Sequence, residues 1–249
     1  MSPRNPPPAD HHPDPAREGQ RPAGLSEKNL RVKLFCSRHA LASDWVEHPG
    51  RSGARHRVFA CGIAILGCVQ DQLEILKLVA SRLESAGLCY MVSGSTALNY
   101  YAQPRMTRDI DIVVEMEPAD TARVVDLFKQ DFYCDEDEIR EAALHRRLFN
   151  IVHLERVVKV DFIVRKDSPY RREEFARRRS LMLDEAKVWL VSPEDLLLSK
   201  LSWAKDSHSE LQLGDVRNLI AAVPDLDWAY IDKWAADLSV AALVEEVRR

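Results

Sequence analysis

Two aspartates one residue apart, Asp109 and Asp111, open an apolar run that ends at Val114. On a β-strand alternate side chains share a face, so both carboxylates project from one side, about 6.6 Å apart along the chain. Like charges that close repel, and one is driven to take up a proton unless a cation sits between them. A divalent metal is the usual remedy, and magnesium takes one or two carboxylates together with substrate phosphates. Upstream, Gly94 and Ser95 sit where a small-residue turn enters a helix. There, free backbone N–H groups and the positive end of the helix dipole suit a phosphate. A third carboxylate, Asp161, lies mid-strand in Val158-Lys-Val-Asp-Phe-Ile-Val164, where an unpaired charge is costly. It shares a strand face with Lys159, so a plain Lys–Asp pair is one reading. If its strand lies beside that of Asp109 and Asp111, three acids converge. Three carboxylates can hold the paired metal ions, about 3.5–4 Å apart, of phosphoryl transfer, and one could accept the proton of an attacking hydroxyl. Acids for metal and a turn for phosphate together point to nucleotide chemistry.

These residues need a scaffold, and the chain supplies one from Gln70 onward. Leu76, Val79, Ala80 and Leu83 mark an amphipathic helix that Gly87 ends. Cys89–Val92 reads as a strand, followed by the Gly94-Ser95 turn, a helix to about Tyr101 and a break at Pro104. Ile110–Val114 is the second strand. Pro118 starts a helix that turns Val124, Val125 and Phe128 inward. The acidic patch 135–138 reads as a solvated loop rather than a second metal site. Strands over Phe149–Leu154 and Val158–Val164 are joined by a tight turn at Glu155-Arg156, and Trp189 lies in a last short strand. The basic run from Arg171 to Arg179 reads as a helix with a charged solvent face, or alternatively as a docking surface for a nucleic-acid backbone. Ser192-Pro-Glu-Asp195 is a capping box with proline at the first helical position. The remainder is helical, with apolar stripes through Val216–Val223, Ile231–Leu238 and Val240–Val247.

Composition bounds the function. The 249 residues carry a net charge of −4, but unevenly: residues 1–60 hold ten Lys/Arg against six Asp/Glu, and residues 61–249 hold 25 against 33. So acidic a folded part is a poor candidate for tight non-specific DNA binding, which rests on neutralising phosphates. Eight of the thirteen prolines fall in residues 1–57, with little apolar periodicity to offset ordering entropy. A disordered extension over 1–67, a core over 68–191 and a helical subdomain over 192–249 are expected. The apolar run Val58–Val69 is too short to span a bilayer and lies too deep for a signal peptide, and reads as a packed strand or a frayed lead-in. Cys36, Cys61, Cys68, Cys89 and Cys134 show no Cys-x-x-Cys spacing and read as free thiols in a reducing, cytoplasmic compartment. No P-loop or kinase motif is present.

Gly94-Ser95, thirteen residues, then Asp109-Ile-Asp111 with Asp161 on a later strand resembles the signature of the polymerase-β-type nucleotidyltransferase superfamily. Within it, Arg105-Met-Thr-Arg-Asp-Ile-Asp111 and Ser192-Pro-Glu-Asp-Leu-Leu-Leu-Ser-Lys-Leu-Ser-Trp-Ala204 are similar to AbiEii-like proteins, minimal bacterial nucleotidyltransferases, some of them toxins of type IV toxin–antitoxin systems. The likeness covers roughly residues 70–249. It implies an α/β (α+β) nucleotidyltransferase fold, a mixed twisted sheet flanked by helices with a helical C-terminal part. It further implies Ser95 and the Gly94 backbone on the phosphates of an NTP, and Asp109, Asp111 and Asp161 on Mg2+, two ions in all. The lysine and later aspartate of AbiEii-like toxins carry over to Lys200 and Asp215. Lys200 also shares a helix stripe with Leu196 and Trp203, which would bring its ammonium out toward a cleft or leave it snorkelling at a core edge. Asp215 has a plain alternative, a surface pair with Arg217 or a neighbour. Arg105 and Arg108 could grip triphosphate or merely offset the acids.

The expected activity is magnesium-dependent transfer of an NMP from an NTP, ATP among the candidates, to a hydroxyl of RNA or tRNA, protein or a small molecule. A cognate antitoxin is a possible partner. The rival expectations are a catalytically silent nucleotide- or partner-binding module, and a small-molecule transferase of the aminoglycoside type.

Overall fold

The computed structural model describes the chain from Arg55 to Arg249, with side chains from Gln70 onward. The expected extension over residues 1–67 lies outside the described residues except for the helical backbone at its end. That backbone belongs to α1 (Arg55–Ser85), so Val58–Val69 runs as helix where a strand or lead-in was expected. Gly87 stops the helix with φ +66°, and the Leu88 N–H returns to the Leu83 carbonyl at 3.0 Å, a left-handed cap that only glycine adopts without strain.

Eight strands and helices then build the sheet and its cover: β1 (Tyr90–Val92), α2 (Gly94–Tyr101), β2 (Asp109–Val114), α3 (Thr121–Phe128), β3 (Phe132–Tyr133), α4 (Glu136–His145), β4 (Leu148–His153) and β5 (Lys159–Val164). After α5 (Pro169–Ala176), strands β6 (Arg179–Leu183) and β7 (Ala186–Leu190) complete a seven-stranded sheet in the order β3-β4-β5-β2-β1-β7-β6. It is mixed: β2 pairs parallel with β5 and antiparallel with β1, and β1 pairs parallel with β7. Four helices finish the chain, α6 (Pro193–Ala204), α7 (Glu210–Ala222), α8 (Trp228–Asp237) and α9 (Ala241–Arg248). A mixed sheet flanked by helices with a helical C-terminal part is the architecture expected.

Three local readings need correction. The acidic patch is not a loop. Asp135 caps α4 by accepting the Glu138 N–H at 3.0 Å, and Glu136, Asp137 and Glu138 form its first turn, where carboxylates are favoured by the helix dipole. The basic run is a solvent face only in part: Arg172 and Arg179 are exposed, while Arg171, Arg177 and Arg178 turn inward. Arg171 pairs with the fully buried Glu174, Arg177 with Glu194 and Asp195, and the Arg178 guanidinium lies over the Phe175 and Trp189 rings. The short strands β3 and β6 were not anticipated.

The core lies on both faces of the sheet. Phe128, Phe132, Phe149 and Phe162 cluster on one side, with Phe149 and Phe162 stacked at 5.0 Å. Along α6, Leu196, Leu197, Leu198 and Leu201 are all fully buried, so this helix is a central pillar. It starts as the capping box predicts: the Ser192 hydroxyl accepts the Asp195 N–H at 3.2 Å. Among the described residues no helix is long and apolar enough to cross a membrane.

Candidate active site

The register of β2 against β5 decides what the site contains. In this parallel pair Asp111 stands opposite Asp161 and Asp109 opposite Lys159. Partners in register share a face, and neighbouring strands are about 4.8 Å apart. Four charged side chains therefore crowd one end of one sheet face: Asp109, Asp111, Asp161 and Lys159. Asp161 is only 8 % exposed, and its buried Oδ1 has no hydrogen-bond partner. Its Oδ2 receives the Lys159 ammonium at 2.9 Å, and the same ammonium lies 3.8 Å from Asp109 Oδ2. The Lys–Asp pair considered from the sequence is thus present.

The turn before α2 closes over these acids. Gly94 has φ +59°, and a Cβ built there would fall 1.9 Å from Asp111 Oδ2. No side chain of any kind fits. The absent Cβ lets the Asp111 carboxylate seat at the N-terminus of α2, where the nearby Ser95 N–H favours its charged form. Even so, burial pushes the Asp111 carboxyl above the ordinary range, and the charges of Asp161 and Asp109 push it further, against the pull of Lys200 and the Ser95 N–H. Lys159 is shifted upward by its hydrogen bond to Asp161 and by the surrounding carboxylates.

A second cluster flanks the first. Arg105 donates from Nε and Nη2 to the two carboxylate oxygens of Asp215, each at 2.8 Å, and from Nη2 to the Ser95 hydroxyl at 2.7 Å. Lys200 donates to Asp215 at 2.8 Å and to Gln212 at 3.2 Å. Ser95, Arg105, Lys200 and Asp215, from α2, the following loop, α6 and α7, are thereby joined in one network. Asp215 is 4 % exposed and Lys200 3 % exposed. This is not the surface pair with Arg217, which instead reaches Glu210 and Glu246. Of the expected stripe, Leu196 is buried and Trp203 is 67 % exposed, and the Lys200 ammonium between them turns inward onto Asp215. Burial drives the Asp215 carboxyl up, but the hydrogen bonds of Arg105 and Lys200 outweigh it and leave it below the ordinary range. Burial lowers Lys200 despite its pairing with Asp215. Arg108 is exposed.

Two supporting residues were invisible in the sequence. Asn99 grips the Arg105 backbone on both sides, donating to its carbonyl and accepting its N–H, both at 2.9 Å, and so aims the guanidinium back at Ser95. Gln212 steadies Lys200. Neither belongs to a spacing pattern; only the fold brings them in.

Whether the acids suit a divalent cation can be asked of the geometry. Asp111 and Asp161 lie side by side, one oxygen of Asp161 is buried and unpartnered, and the acids repel one another; such a set of hard oxygen donors suits magnesium. Among the described residues, though, no three His, Cys, Asp or Glu side chains are gathered closely enough to hold a metal as they stand. The cation they share is Lys159.

No family model matches the chain, and no curated protein is similar to it in sequence. Among solved structures, an antigenic nucleotidyltransferase-like protein from Paracoccidioides brasiliensis overlays with a TM-score of 0.45 at 19% identity, over 68% of this chain and 90% of that one. Lincosamide antibiotic adenylyltransferase LnuA with lincomycin bound gives 0.40 at 13% identity, over 58% and 94%. ANT(2'')-Ia in complex with adenylyl-2''-tobramycin gives 0.43 at 11% identity, over 72% and 97%. Overlaps this partial leave the site's own residues to decide its chemistry.

Proposed function

We propose that the protein is a magnesium-dependent nucleotidyltransferase that moves an NMP from an NTP to a hydroxyl acceptor. The observation that carries this reading is the in-register pair Asp111–Asp161, covered by a glycine turn whose missing Cβ admits the Asp111 carboxylate. In that reading Asp109, Asp111 and Asp161 hold the metal, which when bound supplies Lewis-acid stabilisation to the oxygens of the reacting phosphate. The chain's own groups do the rest. The N-terminus of α2 and the Ser95 hydroxyl receive phosphate oxygens. Arg105 and Lys200, held by Asp215, present positive charge to the triphosphate. The acceptor oxygen attacks the α-phosphorus, the bond from that phosphorus to the bridging oxygen breaks, and pyrophosphate leaves with the electron pair. The hydroxyl proton passes to one of these carboxylates.

The AbiEii-like assignment, and with it a toxin-like role beside a cognate antitoxin, is supported by the motif Arg105–Asp111 and the helix Ser192–Ala204. RNA, a protein hydroxyl and a small molecule remain separate acceptor classes. The test incubates the full chain with each α-labelled NTP and magnesium against total bacterial RNA, a protein extract and a panel of aminoglycosides and lincosamides. Label on one class, lost in Asp161→Asn, supports the proposal and names the acceptor. No label on any class, while NTP and magnesium still raise the melting temperature, would instead favour a silent nucleotide-binding module.

A further inference from the structure

The acids of the site already have a cation of their own, and its situation is specific. Lys159 stands opposite Asp109 in the strand register and touches both Asp161 and Asp109, at 2.9 and 3.8 Å. The other cations at the site are committed elsewhere, Lys200 and Arg105 both being bound to Asp215. Exposure is unequal within the pair: the Lys159 side chain is 40% exposed on a flexible stem, whereas that of Asp161 is 11% exposed within a strand. The lysine can leave for solvent and the aspartate cannot. As they stand, no three acids among the described residues are gathered closely enough for a metal.

We propose that Lys159 is an exchangeable counter-ion, neutralising Asp109 and Asp161 in the empty site and swinging into solvent when a divalent cation enters. The proposal rests on the metal-dependent reading above and adds that loading is a competition between an ammonium and a divalent ion for the same oxygens. The lysine spares the empty fold the full repulsion of three adjacent carboxylates. It also weakens the site for the metal alone. A nucleotide, which brings anionic oxygens of its own, then shifts the competition toward the metal. Cation and triphosphate therefore load together, and the empty enzyme holds little metal.

The experiment titrates the full-length protein with Mn2+ alone, following free Mn2+ by electron paramagnetic resonance, in wild type, Lys159→Met and Lys159→Arg. Melting temperatures are taken with chelator and with saturating Mn2+. Lys159→Met is expected to bind Mn2+ about threefold to fivefold more tightly, as suits removal of a half-exposed ion pair. It should also melt lower than wild type in chelator and gain more from Mn2+. Lys159→Arg, which keeps the charge, should bind no more tightly than wild type. Unchanged or weaker Mn2+ binding in a folded Lys159→Met protein would overturn the exchange while leaving the metal site standing. Absence of Mn2+ binding in all three proteins would overturn the exchange, and its absence with an NTP added as well would overturn the metal reading too. Normal exchange with no nucleotide transfer would leave this proposal intact and remove only the enzymatic one.

Discussion

At Gly94 and Asp111, two residues from different elements share one small volume, and for Asp111 the consequences for stability and for function have opposite signs. Gly94→Ala places a methyl group where Asp111 Oδ2 lies and forces an L residue into the left-handed region. That conformation alone costs about 1–2 kcal/mol, and the displaced carboxylate should abolish transfer; denaturant unfolding and a labelled-nucleotide assay check both. Asp111 itself is held above the ordinary carboxyl range by burial and by its acidic neighbours. A carboxyl whose folded value is raised favours the fold when protonated, and that advantage is lost as pH rises above its unfolded value of about 3.9. At neutral pH and without metal, the ionised Asp111 therefore works against folding. Asp111→Asn should melt higher than wild type in chelator yet transfer no nucleotide, a combination that a purely structural aspartate would not give.

Helices α6 and α7 meet through Asp215, which serves as counter-ion to Lys200 and Arg105 at once. With Asp215 and Lys200 both almost wholly buried, Asp215→Ala strands an ammonium in the interior and should cost about 3–5 kcal/mol. The pH dependence has a definite sign. Because the folded carboxyl is depressed, its contribution is complete above about pH 4, the unfolded value, and disappears as pH falls through the folded one. Denaturant unfolding followed downward in pH should show wild type losing stability in that acid window and Asp215→Ala losing less. Further along α6, Asp195 accepts from the Ser192 hydroxyl at 2.6 Å and the Tyr230 hydroxyl at 2.7 Å, and pairs with Arg177. Through it α5, α6 and α8 are fastened to one buried carboxylate, so the C-terminal helices are anchored to the element that carries Lys200.

Across the whole molecule, what the sequence made legible was local. The spacing of Asp109 and Asp111, the glycine turn and the Ser192 cap each depend on neighbours within a few residues, and period and capping rules read them directly. The partnership of Asp111 with Asp161 spans a helix, a strand, another helix and another strand; it could be posed only as a condition. Strand order fulfils that condition in the structure. The inward turn of Arg177 was hidden because its partners Glu194 and Asp195 stand on another helix and are brought in by packing; Arg171 meets Glu174 at helical spacing, but the burial of that pair is set by packing. Two-residue β3 carries too few residues for an alternation to register, and β6 is exposed along most of its length, so no apolar alternation marks it. For Asp215 the surface-pair alternative stayed open because nothing in its own helix reveals that Arg105, from a distant loop, closes over it. Net charge, by contrast, does belong to the whole chain, and the inward pairs of Arg171 and Arg177 take part of its basic run out of reach of a nucleic-acid backbone.

The central claim, that three acids and a glycine turn serve nucleotidyl transfer, is tested most directly by where the label goes. The full-length protein is given magnesium, a mixed acceptor extract and NTP labelled either at the α- or at the γ-phosphorus, alongside Asp111→Asn. Nucleotidyl transfer predicts that α-label enters the acceptor, that γ-label is released as pyrophosphate, and that Asp111→Asn, folded by circular dichroism, does neither. γ-Label on the acceptor, or α-label incorporated equally by Asp111→Asn, would contradict it.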